Sequence, residues 1–228
     1  MRTAIKRALY RLLKPELFFT LGAIRQISRE YEPVYRKFLE MVPQDGTLLD
    51  VGANVGITCG IARRIRPDLQ LIAFEPIPLN VKILHKIRFL YSIKNMQVYP
   101  VALGDHEGAV TMAIPRIHGR EGLALSHVVS DEFMSPEVEQ YPYDLIEVTM
   151  RTLDSFRFQR IDGIKIDAED HEYHVLNGAK ELLKKFRPVV FCELWETPNR
   201  TKSIDLMKSL GYSIAVQDDG MGFIFVAP

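Results

Sequence analysis

Cysteine is almost absent from this chain. Only Cys59 and Cys192 occur in 228 residues, which excludes a disulfide framework and offers no zinc spacing. Each follows apolar neighbours, the setting of an inert core thiol, and a reducing cytoplasm is the compartment that fits. A surplus of either charge is missing too. The 29 Lys and Arg are matched by 29 Asp and Glu, so nothing global points to nucleic acid or to an acidic polymer as partner. No apolar run is long enough to span a membrane. The opening stretch "MRTAIKRALYRLLKPELFFTLGAI" scatters its basic residues and has no uninterrupted apolar centre, so it does not read as a signal peptide. Internal repeats and low-complexity tracts are also lacking.

What is present is an ordinary globular balance, 47% hydrophobic and 25% charged, on a length that suits one large domain or a domain with an appendage. Residues 1–43 read as helices broken near Pro15 and Pro33. Ile5, Leu9, Leu12 and Leu13 share a helical face, with Lys6, Arg7, Arg11 and Lys14 elsewhere. Such a helix docks on its own domain or on a second copy, the reading we favour, or makes peripheral contact with an acidic membrane.

From residue 44 to 228 strands alternate with helices. "TLLDV", "LQLIAFEP" and "MQVYPVAL" are strands. The helices between them cover residues 56–65 and "LNVKILHKIRFLYS". This βαβαβ order implies a parallel sheet with right-handed crossovers. The rhythm breaks over about 108–150. There "AVTMAI" and "LIEVTMRTLDSF" pair as strands around an irregular segment that we read as a substrate loop containing His118 and His127. "IDGIKID" and "PVVFCEL" resume the sheet. Val175, Leu176, Ala179, Leu182, Leu183 and Phe186 mark one helix between them, stopped by Pro188. A helix from Lys202 to Leu210 and a hairpin turning at "DDGMG" close the chain.

The chemistry lies at the strand ends. In "LLDVGANVGITCGIARR", Asn54 occupies the place of the middle glycine of a dinucleotide fingerprint. No lysine follows Gly56 as a phosphate loop requires. What remains is D-x-G-x-x-x-G, built from Asp50, Gly52 and Gly56. A loop that opens on a carboxylate repels phosphate and attracts an ammonium or sulfonium. Glu75 ends the next strand about twenty residues on, where an acid can accept both ribose hydroxyls. The combination suits a nucleoside with a cationic tail, and S-adenosyl-L-methionine has that form. A nicotinamide-dependent oxidoreductase on a similar sheet and a non-catalytic cofactor-binding module are the alternatives.

A second constellation, Asp167, Glu169, Asp170 and His171, follows the fourth core strand. Asp50, Glu75, Asp167 and Glu193 thus share one sheet edge, a costly gathering unless a cation, a metal or shared protons relieve it. Lys165 can relieve it as a buried ion pair with Asp50 or Glu193. Transfer of that cofactor's methyl group needs in-line positioning, and a nucleophile that carries a proton also needs a group to take it. The expected arrangement sets Asp167 beside the methyl donor. Glu169 or His171 then orients or deprotonates the acceptor. His174 is expected on a helix face. Oxygen ligands from Asp167, Glu169 and Glu193 lack any recognised metal spacing, so no metal is assigned. "NRT" at Asn199 matches a glycosylation acceptor and is discounted as a chance match.

Together "LLDVGANVGITCGIARR", "AFEPIPLN", "VALGD", "TLDSF", "IKIDAEDHEYHVLNGA" and "RPVVFCEL" resemble the FkbM-type methyltransferases over residues 47–194. The resemblance implies a class I, Rossmann-like α/β fold. Its seven-stranded sheet is mostly parallel with an antiparallel last strand, and the N-terminal helices stand in addition. It implies S-adenosyl-L-methionine as cofactor and O-methylation of a sugar, a glycan or glycolipid, or a polyketide-like metabolite. Carried over, Asp50, Gly52, Ala53, Asn54, Gly56 and Glu75 hold the cofactor, with Ala102, Leu103 and Asp105 near adenine. The family pattern I-D-V-E-G-H-E is altered here by Ala168 and Asp170. Asp170 gives up glycine's freedom at positive φ, although Asp tolerates that region better than most residues and could cap the helix beginning at His171.

Overall fold

The computed structural model describes residues 14–29, 33–117, 120–122, 125–129, 141–218 and 220–228. The amphipathic face of Ile5, Leu9, Leu12 and Leu13, and His118, lie outside them. Helices α1 (Pro15–Ile27) and α2 (Pro33–Met41) come first. Each opens on proline, whose missing N–H would have had no partner in a first turn. The alternating part follows with β1 (Thr47–Val51), α3 (Ile57–Ile65), β2 (Gln70–Phe74), α4 (Pro78–Leu90) and β3 (Met96–Tyr99). A second set of strands interrupts it: β4 (Ala102–Leu103), β5 (Gly108–Ile117), β6 (Arg120–Glu121), β7 (His127–Val128) and β8 (Tyr143–Arg151). The chain then runs through β9 (Gly163–Ile166), α5 (Glu172–Asn177), α6 (Lys180–Phe186), β10 (Val189–Glu193), α7 (Pro198–Ser209), β11 (Ser213–Gln217) and β12 (Gly222–Val226).

The main sheet has seven strands in the order β11-β12-β10-β9-β1-β2-β3. Only β12 runs against both of its neighbours; the remaining pairs are parallel. This is the Rossmann-like arrangement with a reversed last strand. Side-chain alternation along each strand feeds two cores. Leu48, Leu71, Ala73, Phe191 and Ile224 face α1 to α4. Leu49, Phe74, Ile164, Ile166, Val190, Cys192 and Phe223 face α5 to α7. On the first side Phe191 lies between Tyr35 and Phe38 of α2, with ring centroids 5.7 and 5.8 Å away. Both cysteines are buried and unpaired.

Three boundaries differ from expectation. "MQVYPVAL" is two strands, because Pro100 ends β3 and Ala102–Leu103 leaves for a second sheet beside β8. In that sheet β5 and β8 pair antiparallel over Gly108–Pro115, as expected for "AVTMAI". The helix expected over 175–186 is two helices. A Cβ on Gly178 would lie 2.0 Å from the Gly104 carbonyl oxygen, so the chain must break direction there to pack. The Asp154 carboxylate then accepts from the Glu181 and Leu182 N–H groups and starts α6. Helix α7 begins at Pro198 rather than Lys202, with the Thr197 hydroxyl accepting from the Asn199 N–H.

Candidate active site

The carboxyl ends of β1, β2 and β9 open into a cleft of about 600 Å³, a volume that includes space open to solvent. Gly52, Asn54, Glu75, Ala102, Leu103, Asp167, Glu169 and His171 line it. Asp50, Ala53, Gly56 and Asp105 do not.

The reason Asp50 is absent is strand geometry. It alternates with Leu49 and Val51 and points under α3. There its carboxylate accepts from Thr58 Oγ1 and Cys59 Sγ and pairs with Lys165 Nζ at 3.2 Å. Lys165 is its register partner on β9. The same ammonium donates to the Gly52 carbonyl at 2.9 Å and lies 3.3 Å from Asp167 Oδ2. One buried cation therefore ties together the first loop and the acid of the second constellation.

The loop after β1 turns through positive φ at Gly52 (70°), Asn54 (49°) and Gly56 (84°). Asn tolerates this region better than most side chains, which explains how it replaces a glycine. Gly52 is obligatory for a further reason: a Cβ there would sit 1.8 Å from the Asp167 carbonyl oxygen. Gly56 and Ala53 serve the turn, with the Gly56 N–H donating to the Ala53 carbonyl.

Glu75 is set differently. Its Oε2 accepts from the Asn54 N–H at 2.9 Å. Its Oε1 accepts from the Ile77 N–H at 2.8 Å and from Asn80 Nδ2 at 3.2 Å. Burial pushes its pKa up to about 7 against these bonds. Asn80, which sequence reading passed over at the end of "EPIPLN", is buried in the cleft wall with Oδ1 unpartnered. Phe74, Ile77, Val101 and Leu103 form an apolar slot beside it.

On the other side, Glu169 and Asp170 both take positive φ, 53° and 69°. Asp170 does not cap α5. His171 stands at the cap position without a side-chain bond, while Asp170 accepts from Thr197 Oγ1 and from Asn199 Nδ2. The departure from glycine is thus tied down by α7, and Asn199 is occupied in doing so. Glu172 reaches back to accept from the Ala168 N–H at 2.7 Å. Burial, then the neighbouring Asp167, Glu172 and Glu193 charges, push Glu169 up to about 9. Burial pushes Glu172 up to about 8.

His171 is pushed down to about 4 by burial and by His174, and its Nε2 has no partner. Its ring stacks on His174 at 4.5 Å. His174 Nδ1 in turn meets Asp105 Oδ2 at 2.9 Å. Partial burial acts upward on Asp105, but bonds from His106 and His174 outweigh it and hold the carboxyl well below its ordinary range. Asp105 therefore supports the histidine pair from behind the cleft. Met112 of β5, Val128 of β7 and Ser126 just before β7 complete the wall; the sequence placed Met112 on a strand, but Ser126 and Val128 only in the irregular segment.

A family model described as "Methyltransferase FkbM domain" matches residues 50–214. Among curated relatives, "Methyltransferase 1" of Beauveria bassiana is 22% identical over 188 residues, 77% of this chain and 75% of its own. The "2-O-methyltransferase NoeI" of Sinorhizobium fredii is 26% identical over 165 residues, 68% of this chain and 66% of its own. Among solved structures, a methyltransferase FkbM from Methylobacillus flagellatus matches with TM-score 0.54 at 13% identity, covering 92% of this chain and 59% of that one. A putative O-methyltransferase from Klebsiella pneumoniae matches with TM-score 0.52 at 15% identity, covering 99% and 97%. At such identities the two structures speak for the fold alone.

Proposed function

The chain belongs to the FkbM methyltransferase family, and from that premise we propose that it methylates a hydroxyl oxygen of a sugar, a glycan or glycolipid, or a polyketide-like metabolite. It is a methyltransferase, and its cofactor is S-adenosyl-L-methionine. The observation that carries the oxygen reading is the pairing, in one cleft, of a hydrogen-bonded acid beside an apolar slot with a buried, unpartnered imidazole. The relative named as a 2-O-methyltransferase supports oxygen as the acceptor atom.

The residues present fit the cofactor. Glu75 Oε1 already accepts two hydrogen bonds and Oε2 one, so one acceptor position remains on the carboxylate. A ribose diol needs two. The unpartnered Oδ1 of Asn80 supplies the second, dividing the diol between Glu75 and Asn80. The slot of Phe74, Ile77, Val101 and Leu103 takes the adenine, with Ala102 beside it. Gly52 and Asn54 give the amino-acid portion a close backbone, and Asp167 offers negative charge to the positive end. Asp50, Ala53 and Gly56 hold the loop's shape from beneath, and Asp105 acts through His174.

When bound, the cofactor supplies a methyl group on a sulfonium centre. The chain's part is to place the acceptor oxygen in line and to receive its proton. Near neutral pH Glu169 keeps its own proton and donates a hydrogen bond that orients the acceptor. His171 is neutral there and offers Nε2 to the hydroxyl proton. With the methyl donor bound, His171 would take up the proton that the acceptor hydroxyl gives up. Met112, Ser126 and Val128 face the acceptor from the second sheet.

Labelled methyl transfer from S-adenosyl-L-methionine to a panel of glycans and metabolites, with the product's linkage read by mass spectrometry, tests the reading. Label on oxygen supports it. Label on nitrogen or carbon, or calorimetry showing NAD bound in preference, overturns it.

A further inference from the structure

Far from the cleft, the outer faces of α1 and α4 carry an unusual combination. Phe89 is 82% exposed and Leu90 53% at the end of α4, while Leu17 and Leu21 on α1 are 43% and 49% exposed. Single exposed apolar side chains are ordinary; here four lie on two helices that pack together. The two helices are joined by the Lys86–Glu16 pair at 2.7 Å. That hydrogen bond, with the charges of Lys86, Lys82 and Lys14, holds the Glu16 carboxyl below its usual range. The three ammonium groups therefore crowd one acid at the helix junction. Glu16 is the single acidic side chain that α1 and α4 carry between them. Lys14, Lys82, Lys86 and Arg25 are exposed.

The charge is also placed unevenly along the chain. Residues 1–37 hold nine Lys and Arg against three Asp and Glu, although the whole chain is neutral. The thirteen residues before Lys14 continue the same composition, with Arg2, Lys6, Arg7 and Arg11 among Ile5, Leu9, Leu12 and Leu13 and no acid.

We propose that the α1–α4 face docks on an anionic lipid bilayer. The aromatic and aliphatic side chains enter the headgroup boundary and the lysines meet the lipid charge. A protein partner with an apolar groove would not need so many cations. A second copy of this chain would bring the same cations against each other.

Placement follows from the fold. Helix α4 begins beside the cleft, where Asn80 lines the wall, and Phe89 lies near its other end, about 14 Å further along the helix axis. The cleft thus lies at the opposite end of α4 from Phe89 and Leu90. The acceptor is met in the aqueous phase or on a group that reaches out from the lipid, not within the bilayer.

Co-sedimentation of the full chain with phosphatidylcholine vesicles, with and without phosphatidylglycerol, tests the proposal. Binding is expected only with the anionic lipid and should weaken steeply with added salt. Phe89→Glu with Leu90→Glu should weaken it about tenfold or more. Lys82→Glu with Lys86→Glu should do the same, at roughly fivefold per charge. Lys208→Glu on α7 serves as the control and leaves it unchanged. Binding of S-adenosylhomocysteine and light scattering report folding and oligomeric state for each variant. Three outcomes overturn the proposal: no binding to anionic vesicles, binding lost on deleting residues 1–13 but indifferent to Phe89 and Leu90, or a dimer that Phe89→Glu dissociates.

Discussion

Asp50 and Glu75 end adjacent parallel strands, and both are almost sealed from solvent, at 1% and 4% exposure. In a one-dimensional reading they are equivalent acids at one sheet edge. The structure separates them. Asp50 turns beneath α3 and is matched by a full positive charge on Lys165. Glu75 turns into the cleft and is held by three neutral donors. A carboxylate that faces a buried ammonium has its charge spent locally. One held by amides keeps charge and an acceptor position for a ligand. In the proposed reading the first serves folding and the second binding, and charge type alone does not tell them apart.

Removing the cation should give the largest effect. Lys165→Ala leaves the buried Asp50 carboxylate unmatched, and urea denaturation should show a loss of about 3–5 kcal/mol. A loss under 1 kcal/mol would mean that the two acids are alike after all. Glu75→Ala inverts the pattern. S-adenosylhomocysteine binding should weaken by about 1–3 kcal/mol in calorimetry, with a smaller change in stability. Asn80→Ala should give a weaker version of the same loss.

The comparison also has a pH signature. Glu75, held near 7, must be ionised to accept a ribose hydroxyl. Affinity for S-adenosylhomocysteine should therefore fall as pH drops through 7, and Glu75→Gln should flatten the profile. Stability of the ligand-free protein runs in the opposite sense. Unfolded glutamates release their protons near 4.5, whereas folded Glu75, Glu172 and Glu169 keep theirs to about 7, 8 and 9. Unfolding free energy from these groups declines as pH rises from 4.5 to 9. Glu172→Gln should make that decline shallower in urea titrations at several pH values. The smallest effect expected is from Asn199→Ala. It removes the clamp on Asp170 and should lower stability by about 1 kcal/mol without changing cofactor affinity.

Much of this could be read from the residues. Pro15 and Pro33 mark helix starts, the D-x-G-x-x-x-G spacing and Glu75 locate one side of the cleft, and the antiparallel hairpin was visible at the carboxyl end. The alternation Leu48, Leu49, Asp50, Val51 also carried the answer about Asp50, because Leu48 is buried against α2 and α3 and Asp50 shares its face. What could not be read depended on distant contacts. The spacing of Val175 to Phe186 continues smoothly through Gly178. Only the approach of Gly104 and the cap from Asp154 break the helix. Asn80 looks like an ordinary first-turn residue until its neighbour's acceptor positions are counted. Strand β4 is too short to announce itself without β8 beside it.

Gly52 and Asp167 touch so closely that not even a methyl group fits between them. The floor beneath donor and acceptor is in effect one welded plate. A side chain at position 52 would drive the first loop away from the second, so the floor admits no variation there. The wall left free to differ in shape is the one that carries Met112 and Val128.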